Sequence, residues 1–246
     1  MTVAATILRE LREAAFPEKE AVLRRFFKTG PGEYGEGDRF LGVMVPQIRT
    51  VAKAHPNVDD AVVGALLASP WHEVRECALL LLVERFGRAN EAERTTIHSL
   101  YLAAATEGRV NNWDLVDLSA PTLVGRYLFD RPRGLLDRLA RRPSLWENRI
   151  AVVSTLAFIR RGDLADAFRQ CTSALEHHHD LMHKAVGWML RECGKKDASA
   201  LRDFLGNNLA VIHPTTLRYA IERFPCKERS VWLARRRTAG KRSGSF

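Results

Sequence analysis

The chain has 246 residues, of which 46% are hydrophobic and 27% charged, as in a globular protein with one large or two small domains. Lys and Arg outnumber Asp and Glu by 38 to 29, and the net charge of +9 favours a polyanionic partner, most simply nucleic acid, over mere solubility. No apolar run is long enough to span a membrane, and the N-terminus is too polar for a signal peptide. We therefore expect a cytoplasmic protein.

A glycine-rich segment follows the first helical hairpin. Residues 29–42 read TGPGEYGEGDRFLG and contain five glycines. A phosphate-binding loop would need a GK[ST] sequence and a preceding strand, and neither is present. We interpret the segment as a connector loop and leave open whether it touches a ligand.

Helical periodicity dominates the rest of the chain. Within SPWHEVRECALLLLVERFG, Ser69 and Pro70 are expected to begin a helix. The apolar residues of this helix fall at i, i+3, i+4, i+7 and i+8: Val74, Cys77, Ala78, Leu81 and Leu82. A second helix is predicted from a capping box at Ser144 and Glu147 to Gly162.

A basic residue followed closely by alanine recurs near the start of four helices. The pairs are Arg75 with Ala78, Arg149 with Ala151, Lys184 with Ala185, and Arg218 with Ala220. The intervals between the basic residues are 74, 35 and 34 residues, and 74 is two steps of 37. A repeat of this length is typical of HEAT-like solenoids, although chance recurrence is possible. We predict an all-α fold, an α-solenoid of HEAT-like helical repeats forming a single domain over residues 1–233, with a concave basic face.

The last residues, 234–246, differ from the predicted domain. They read ARRRTAGKRSGSF, with five basic residues and no apolar period. We expect a disordered tail that adds non-specific attraction to phosphates.

The helix around Trp188 has two predicted faces. Lys184, Trp188 and Arg191 fall on one side, whereas the opposite side is apolar, with Met182, Val186, Met189 and Cys193. A tryptophan flanked by cations fits a contact with sugar and phosphate, and a tryptophan half-buried between repeats is the alternative. Arg149 begins an almost wholly apolar helix, so its guanidinium needs an anionic partner, either a buried carboxylate or a phosphate.

Metal and redox sites have little support. The four cysteines form no CxxC pair, so we expect buried free thiols. The run His177, His178, His179 points to different helix faces and cannot easily converge on one ion. We expect neither a metal nor a cofactor.

The sequence NNWDLVDL at residues 111–118 places carboxylates at a helix start. Asn111 is expected to cap this helix, with Asp114 favouring the free amides of its first turn. Asp117 lies a turn further in, four residues after Trp113, so the two side chains share a face. Pro121 cannot donate to the carbonyl of Asp117, which predicts a kink.

A carboxylate beside an indole ring suits a cation better than a phosphate. Purines alkylated at N3 or N7 are cationic, and their glycosidic bonds are already weak. One aspartate could stabilise the developing oxocarbenium ion and place a water, as carboxylates do in glycoside hydrolysis. Tryptophan faces would attract the cationic nucleotide.

Four segments in order carry a family resemblance: FLGVMVPQIR at 40–49, NWDLVD at 112–117, LWENRIAVVSTLAFIRRGD at 145–163 and HKAVGWMLRECGK at 183–195. Over most of its length the chain resembles the AlkD-type DNA alkylation repair enzymes, which are DNA glycosylases built from HEAT-like repeats. The resemblance implies metal-free hydrolysis of N3- and N7-alkylpurine nucleotides in duplex DNA, with the lesion left stacked.

The resemblance also implies residue roles. Asp117 matches the catalytic carboxylate, Trp113 and Trp188 the paired aromatic residues, and Arg149 the neighbouring arginine. Lys184, Arg191, Arg75 and Arg218 are predicted to hold phosphate. Two departures are Asn112, where close members carry a second tryptophan, and the longer loop at 29–42.

The predicted function is therefore a DNA glycosylase that releases cationic alkylpurines, such as 3-methyladenine and 7-methylguanine, and leaves an abasic site. Its expected partner is double-stranded DNA with alkylated purines, bound by a monomer without an obligate protein or membrane partner. A non-catalytic HEAT-repeat module that binds distorted nucleic acid, and a protein-binding solenoid, are the alternatives.

Overall fold

The computed structural model describes residues 2–242, with side-chain surroundings for residues 2–238. Within that part of the chain every regular element is a helix, and the only strand-like pairing is an isolated bridge between Arg39 and Trp71. The prediction of an all-α fold is confirmed. None of the described helices is long and apolar enough to cross a membrane.

The chain divides into two compact units, Met1–Tyr127 and Leu128–Phe246, whereas the sequence predicted a single domain over 1–233. The helices of unit 1 are α1 Val3–Glu13, α2 Pro17–Phe26, α3 Val45–Ala54, α4 Asp60–Leu67, α5 His72–Arg88, α6 Glu91–Thr106, α7 Trp113–Ala120 and a π-helix Pro121–Arg126. Those of unit 2 are α8 Gly134–Ala140, α9 Leu145–Ser154, α10 Leu156–Arg160, α11 Ala165–Ser173, α12 Asp180–Lys196, α13 Ala198–Asn208, α14 Pro214–Ala220 and α15 Cys226–Arg242.

Helix α5 is the core of unit 1. It packs against α3, α4 and α7, and its predicted apolar stripe is buried. The helix begins at His72 rather than beside Ser69, because Ser69 is used in the preceding turn, where its hydroxyl accepts the N–H of Trp71. The later start places the sequence HEVRE in the first turns of α5 and buries its charged side chains.

Helix α12 is the core of unit 2, where it packs most extensively against α14. Its two predicted faces are confirmed: Met182, Val186, Met189 and Cys193 are buried, whereas Lys184, Trp188 and Arg191 are partly exposed. The α14 backbone approaches so closely that a Cβ at Gly187 would lie 2.7 Å from the carbonyl oxygen of Thr216. Only glycine at residue 187 permits this packing.

The recurring alanines and the recurring basic residues differ in solvent exposure. Ala78, Ala151, Ala185 and Ala220 are all buried, as close helix packing requires. Arg218 is exposed and Lys184 partly so, but Arg75 and Arg149 are each only 4% exposed. The recurring basic residues therefore do not share one environment, since Arg75 and Arg149 are buried and Arg218 is exposed.

The buried arginines connect successive repeats inside each unit. In unit 1, Nε of Arg75 donates to the carbonyl of Arg109 at 3.1 Å. In unit 2, a terminal nitrogen of Arg149 donates to the carbonyl of Leu181 at 2.5 Å. Each bond joins one helix start to a segment 32 to 34 residues further on, which is about one repeat. A guanidinium suits this position because it carries several donors in a fixed plane.

The end of the described chain is helical. Helix α15 extends to Arg242, so residues 234–242 do not form the disordered tail that the sequence predicted, and residues 243–246 lie outside the described part. Among the cysteines, Cys77, Cys171 and Cys193 are buried free thiols as predicted, but Cys226 is exposed.

Histidines cap helices in unit 2. Nδ1 of His179 accepts the N–H of Leu181 at the start of α12, and Nδ1 of His213 accepts the N–H of Thr215 at the start of α14. An accepting nitrogen must be unprotonated. Burial and the neighbouring cationic groups lower the pKa of both histidines.

These caps predict an acid-sensitive unit 2. Folding lowers the pKa of both histidines. The caps therefore contribute fully to stability at neutral pH, and this contribution falls as the pH drops below 6.5, the pKa of histidine in the unfolded chain. Asparagine can cap a helix but does not titrate. We therefore expect a variant carrying both His179→Asn and His213→Asn to lose less stability than the parent between pH 7 and pH 5. Thermal unfolding across this range measures the difference, and equal losses would contradict the role of the caps.

Candidate active site in unit 1

A cavity of about 370 Å³ opens in unit 1 beside the NNWDLVDL segment. Trp113 and Asp117 both line it, as their spacing of one helical turn on α7 predicts. Its other lining residues come from α2, the loop before α3, α3, α5 and α7: Leu23, Phe26, Phe27, Phe40, Val43, Met44, Val45, Arg49, His72, Glu73, Glu76, Asp114 and Leu118. The loop at 29–42 thus contributes Phe40 to the candidate site.

The start of α7 differs from the prediction by one residue. Asn112, not Asn111, is the N-cap, and its side-chain oxygen accepts the N–H of Trp113. Asn112 is fully buried and lines no part of the cavity. Asn111 instead accepts a hydrogen bond from Arg75 at 3.0 Å. Asn112, which stands where close members of the family carry a tryptophan, therefore caps the start of α7 and does not line the cavity.

Helix α7 ends where Pro121 follows it. The α-helical hydrogen bonds stop at Ala120, and a π-helix begins at Pro121. The missing proline N–H predicted a kink here, and the structure shows a change from α- to π-helix at this residue. Asp117 is half-buried within the last turn of α7.

Aromatic rings form one wall of the cavity. Trp113 stacks on Phe27 with ring centroids 5.6 Å apart and meets the edge of Phe26 at 5.9 Å. Phe27 in turn stacks on Phe40 at 5.1 Å. The indole is therefore fixed by ring packing and does not depend on a ligand for its orientation.

A buried histidine lies between these rings and two carboxylates. Phe27 and Phe40 contact the ring of His72, with centroids 4.8 and 4.6 Å away. Its Nδ1 and Nε2 lie 2.8 Å from carboxylate oxygens of Asp38 and Asp114 respectively. Burial opposes the charged imidazole, but the two carboxylates outweigh burial and raise the pKa of His72 to about 10.

The protonated state of His72 bears on metal binding. His72, Glu76 and Asp114 have potential ligand atoms within 4.8 Å of one another, a spacing compatible with an ion. A doubly protonated imidazole has no lone pair for a metal. We therefore interpret His72 as a cation that holds Asp114 in place.

A further charged residue of α5, Glu73, fixes the loop before α3. The carboxylate of Glu73 accepts the backbone N–H groups of Leu41, Gly42 and Val43 at 2.9 to 3.1 Å. Gly42 has φ +91°, and a Cβ there would lie 2.4 Å from the carbonyl oxygen of Phe16. Only glycine fits this conformation and approach.

Arg75 is a structural residue. Its guanidinium donates to Asp38 at 2.6 Å, to Asn111 at 3.0 Å and to the carbonyl of Ser69 at 3.1 Å. With the bond to Arg109, these internal partners occupy its buried donors, so the predicted phosphate contact of Arg75 is wrong. The charged sequence HEVRE at the start of an apolar helix was the signal that these side chains are buried and paired.

Glu76 is the exception in this network. It is 4% exposed and lines the cavity, yet it makes no hydrogen bond or ion pair with any described residue. Burial, together with the carboxylates of Asp114 and Glu73, raises the pKa of Glu76 to about 7, although His72 and Arg49 oppose the shift. Glu76 could not be predicted as a site residue, because nothing in the sequence pattern distinguishes it from its paired neighbours.

The remaining predicted site residues lie in unit 2. Lys184 forms an ion pair with Asp180 at 2.7 Å, and Arg191 pairs with Glu222 on α14. Trp188 is half-buried on the same stripe of α12, and Arg218 is exposed on α14. The DNA contacts predicted for these residues and for Arg149 stay predictions.

The structural role of Arg75 can be tested. We expect Arg75→Gln to lower the free energy of unfolding by about 3 kcal/mol or more, because it leaves Asp38 buried with one cation fewer. Arg218→Gln, which removes the same charge from an exposed position, should change the free energy by less than about 0.5 kcal/mol. Urea denaturation measures both, and a similar small effect for the two variants would contradict the buried network.

Comparison with known proteins agrees with this picture. A family model described as DNA alkylation repair enzyme matches residues 7–224. A solved structure described as a predicted DNA alkylation repair enzyme from Enterococcus faecalis is 16% identical, with a TM-score of 0.67 over 86% of this chain and 97% of that chain, and it supports the fold alone. No curated protein matches the chain. The family match covers most of the sequence, and the chain belongs to the family of DNA alkylation repair enzymes, which gives it a role in DNA repair.

Proposed function

We propose that the protein is a DNA glycosylase that hydrolyses the N-glycosidic bond of positively charged N3- and N7-alkylated purines in duplex DNA. The reaction releases bases such as 3-methyladenine and 7-methylguanine without base flipping and leaves an abasic site. The observation that carries the proposal is that Asp117 and Trp113 line one cavity whose other acidic residues include Asp114 and Glu76. Such a cavity favours a cation over a phosphate.

The chemistry follows from charge development. As the bond to the cationic base lengthens, positive charge moves to the sugar, and the base departs neutral. Asp117 stabilises that charge and orients the attacking water, an electrostatic role in which a fixed carboxylate is most effective. Trp113, fixed against Phe27, offers its indole face to the cationic nucleotide.

In this proposal the residues of unit 2 contact the DNA backbone. Trp188 contacts the sugar and phosphate of the lesion, whereas Lys184, Arg191 and Arg218 hold backbone phosphates. Arg149 is buried in the free protein and must release the carbonyl of Leu181 to reach a phosphate. Lys184 and Arg191 have carboxylate partners in the free protein, so DNA must compete with Asp180 and Glu222 for them. The net charge of +9 adds attraction that weakens with salt. The protein would act as a cytoplasmic monomer that reaches the nucleoid through DNA.

Base release from methylated duplex DNA tests the proposal. We expect the parent to release 7-methylguanine and 3-methyladenine, and Asp117→Asn to lower the single-turnover rate at least tenfold with duplex affinity unchanged, because the variant removes the negative charge that the transition state needs.

Asp203→Asn is a matched control, since Asp203 is exposed on α13 and makes no hydrogen bond or ion pair with the described residues. This control should react at the parent's rate. Tight duplex binding without base release by the parent would overturn the proposal and indicate a non-catalytic module that binds distorted DNA.

A further inference from the structure

The cavity holds a carboxylate that the fold does not use. Glu76 lies four residues after His72 on α5, and both side chains line the cavity. The neighbouring carboxylates have partners: Asp38 and Asp114 bind His72, and Glu73 binds loop amides. Glu76 has none among the described residues.

An unpaired buried carboxylate destabilises the protein. Its ionised form loses hydration without gaining a hydrogen bond, and nearby carboxylates add repulsion. The charged groups that face it are Asp114 on α7, Arg49 on α3, and His72 and Glu73 on α5. Burial at a cost to stability is the pattern of groups that serve function rather than the fold.

We infer that Glu76 is a second catalytic carboxylate, the general base that takes the proton of the attacking water; this inference rests on the proposed function. The water oxygen forms a bond to C1′ of the nucleotide sugar. The C1′–N bond breaks, and its electron pair neutralises the cationic purine. The O–H bond breaks, its proton passes to Glu76, and Glu76 later returns it to solvent.

The two carboxylates then divide the work. Asp117 stabilises the charge on the sugar, and Glu76 accepts the proton. A base is most effective when its pKa is near the working pH, and a value of about 7 meets this condition. Glu76 lines the cavity, whose volume of about 370 Å³ has room for a water beside the carboxylate.

Single-turnover base release by Glu76→Gln across pH 5.5 to 8.5 tests the inference. We expect the parent's rate to rise with pH to a plateau above about 7, and E76Q to be at least tenfold slower with this rise removed. Glu76→Asp should recover part of the rate. Glu84→Gln is the matched control, since Glu84 is exposed two turns further along α5, and it should behave as the parent does.

Stability separates catalysis from a structural role. Because folding raises the pKa of Glu76 from 4.5 to about 7, its ionisation lowers stability as pH rises through this range. E76Q should therefore melt at a higher temperature than the parent at pH 8, and this advantage should be absent at pH 4.5.

Three outcomes would overturn the inference. Base release by E76Q at the parent's rate and with the parent's pH profile would overturn it and leave the proposed function intact. A lower melting temperature for E76Q at pH 8 would show that the carboxylate supports the fold. Failure of the parent to release any base would overturn the proposed function together with this inference.

Discussion

The buried ion network around His72 is the constraint on which the candidate site of unit 1 depends. The imidazolium connects Asp38, in the glycine-rich loop, to Asp114, in the first turn of α7. Arg75 strengthens this connection by bonding both Asp38 and Asn111. Because charges in the interior must be paired, displacing the loop that carries Asp38 would leave His72 and Arg75 buried with fewer partners. The position of Trp113 and Asp117 therefore follows from α5 as much as from α7.

The same cavity combines a rigid aromatic wall with an excess of negative charge. Phe27 packs on the indole of Trp113 and also on the ring of His72, so that the aromatic wall and the ion network share a side chain. Glu76 differs from the other charged residues of α5 at this cavity, since it is buried but forms no hydrogen bond or ion pair with a described residue. In the proposed function the positive net charge attracts the polyanion, and the carboxylates that line the cavity favour a local cation.

Sequence patterns predicted the features that arise from local geometry. The two faces of α12 followed from its helical period, and the change from α- to π-helix falls at Pro121, where the missing N–H predicted an irregularity. The pairing of Trp113 with Asp117 followed from their spacing. These inferences succeeded because each involves one helix and its immediate neighbours.

Features that depend on distant residues were predicted less well. The partners of Arg75 lie 34 to 37 residues away in Asp38, Arg109 and Asn111, so its basic character alone indicated phosphate binding. The tail from residue 234 lacks an apolar period, yet it continues a helix that begins at Cys226. The sequence could not single out Glu76 for a related reason. That a carboxylate has no partner can be recognised only when its neighbours in space are known.

We propose that this cavity stabilises positive charge on a nucleotide sugar. The most direct measurement compares the affinity of the protein for two duplexes, one with a pyrrolidine nucleotide that carries a cationic ring nitrogen and one with a neutral tetrahydrofuran nucleotide. A mimic of the transition state should bind at least about 100-fold more tightly than its neutral counterpart, and Asp117→Asn should abolish most of this preference. Equal affinity of the parent protein for the two duplexes would contradict the claim.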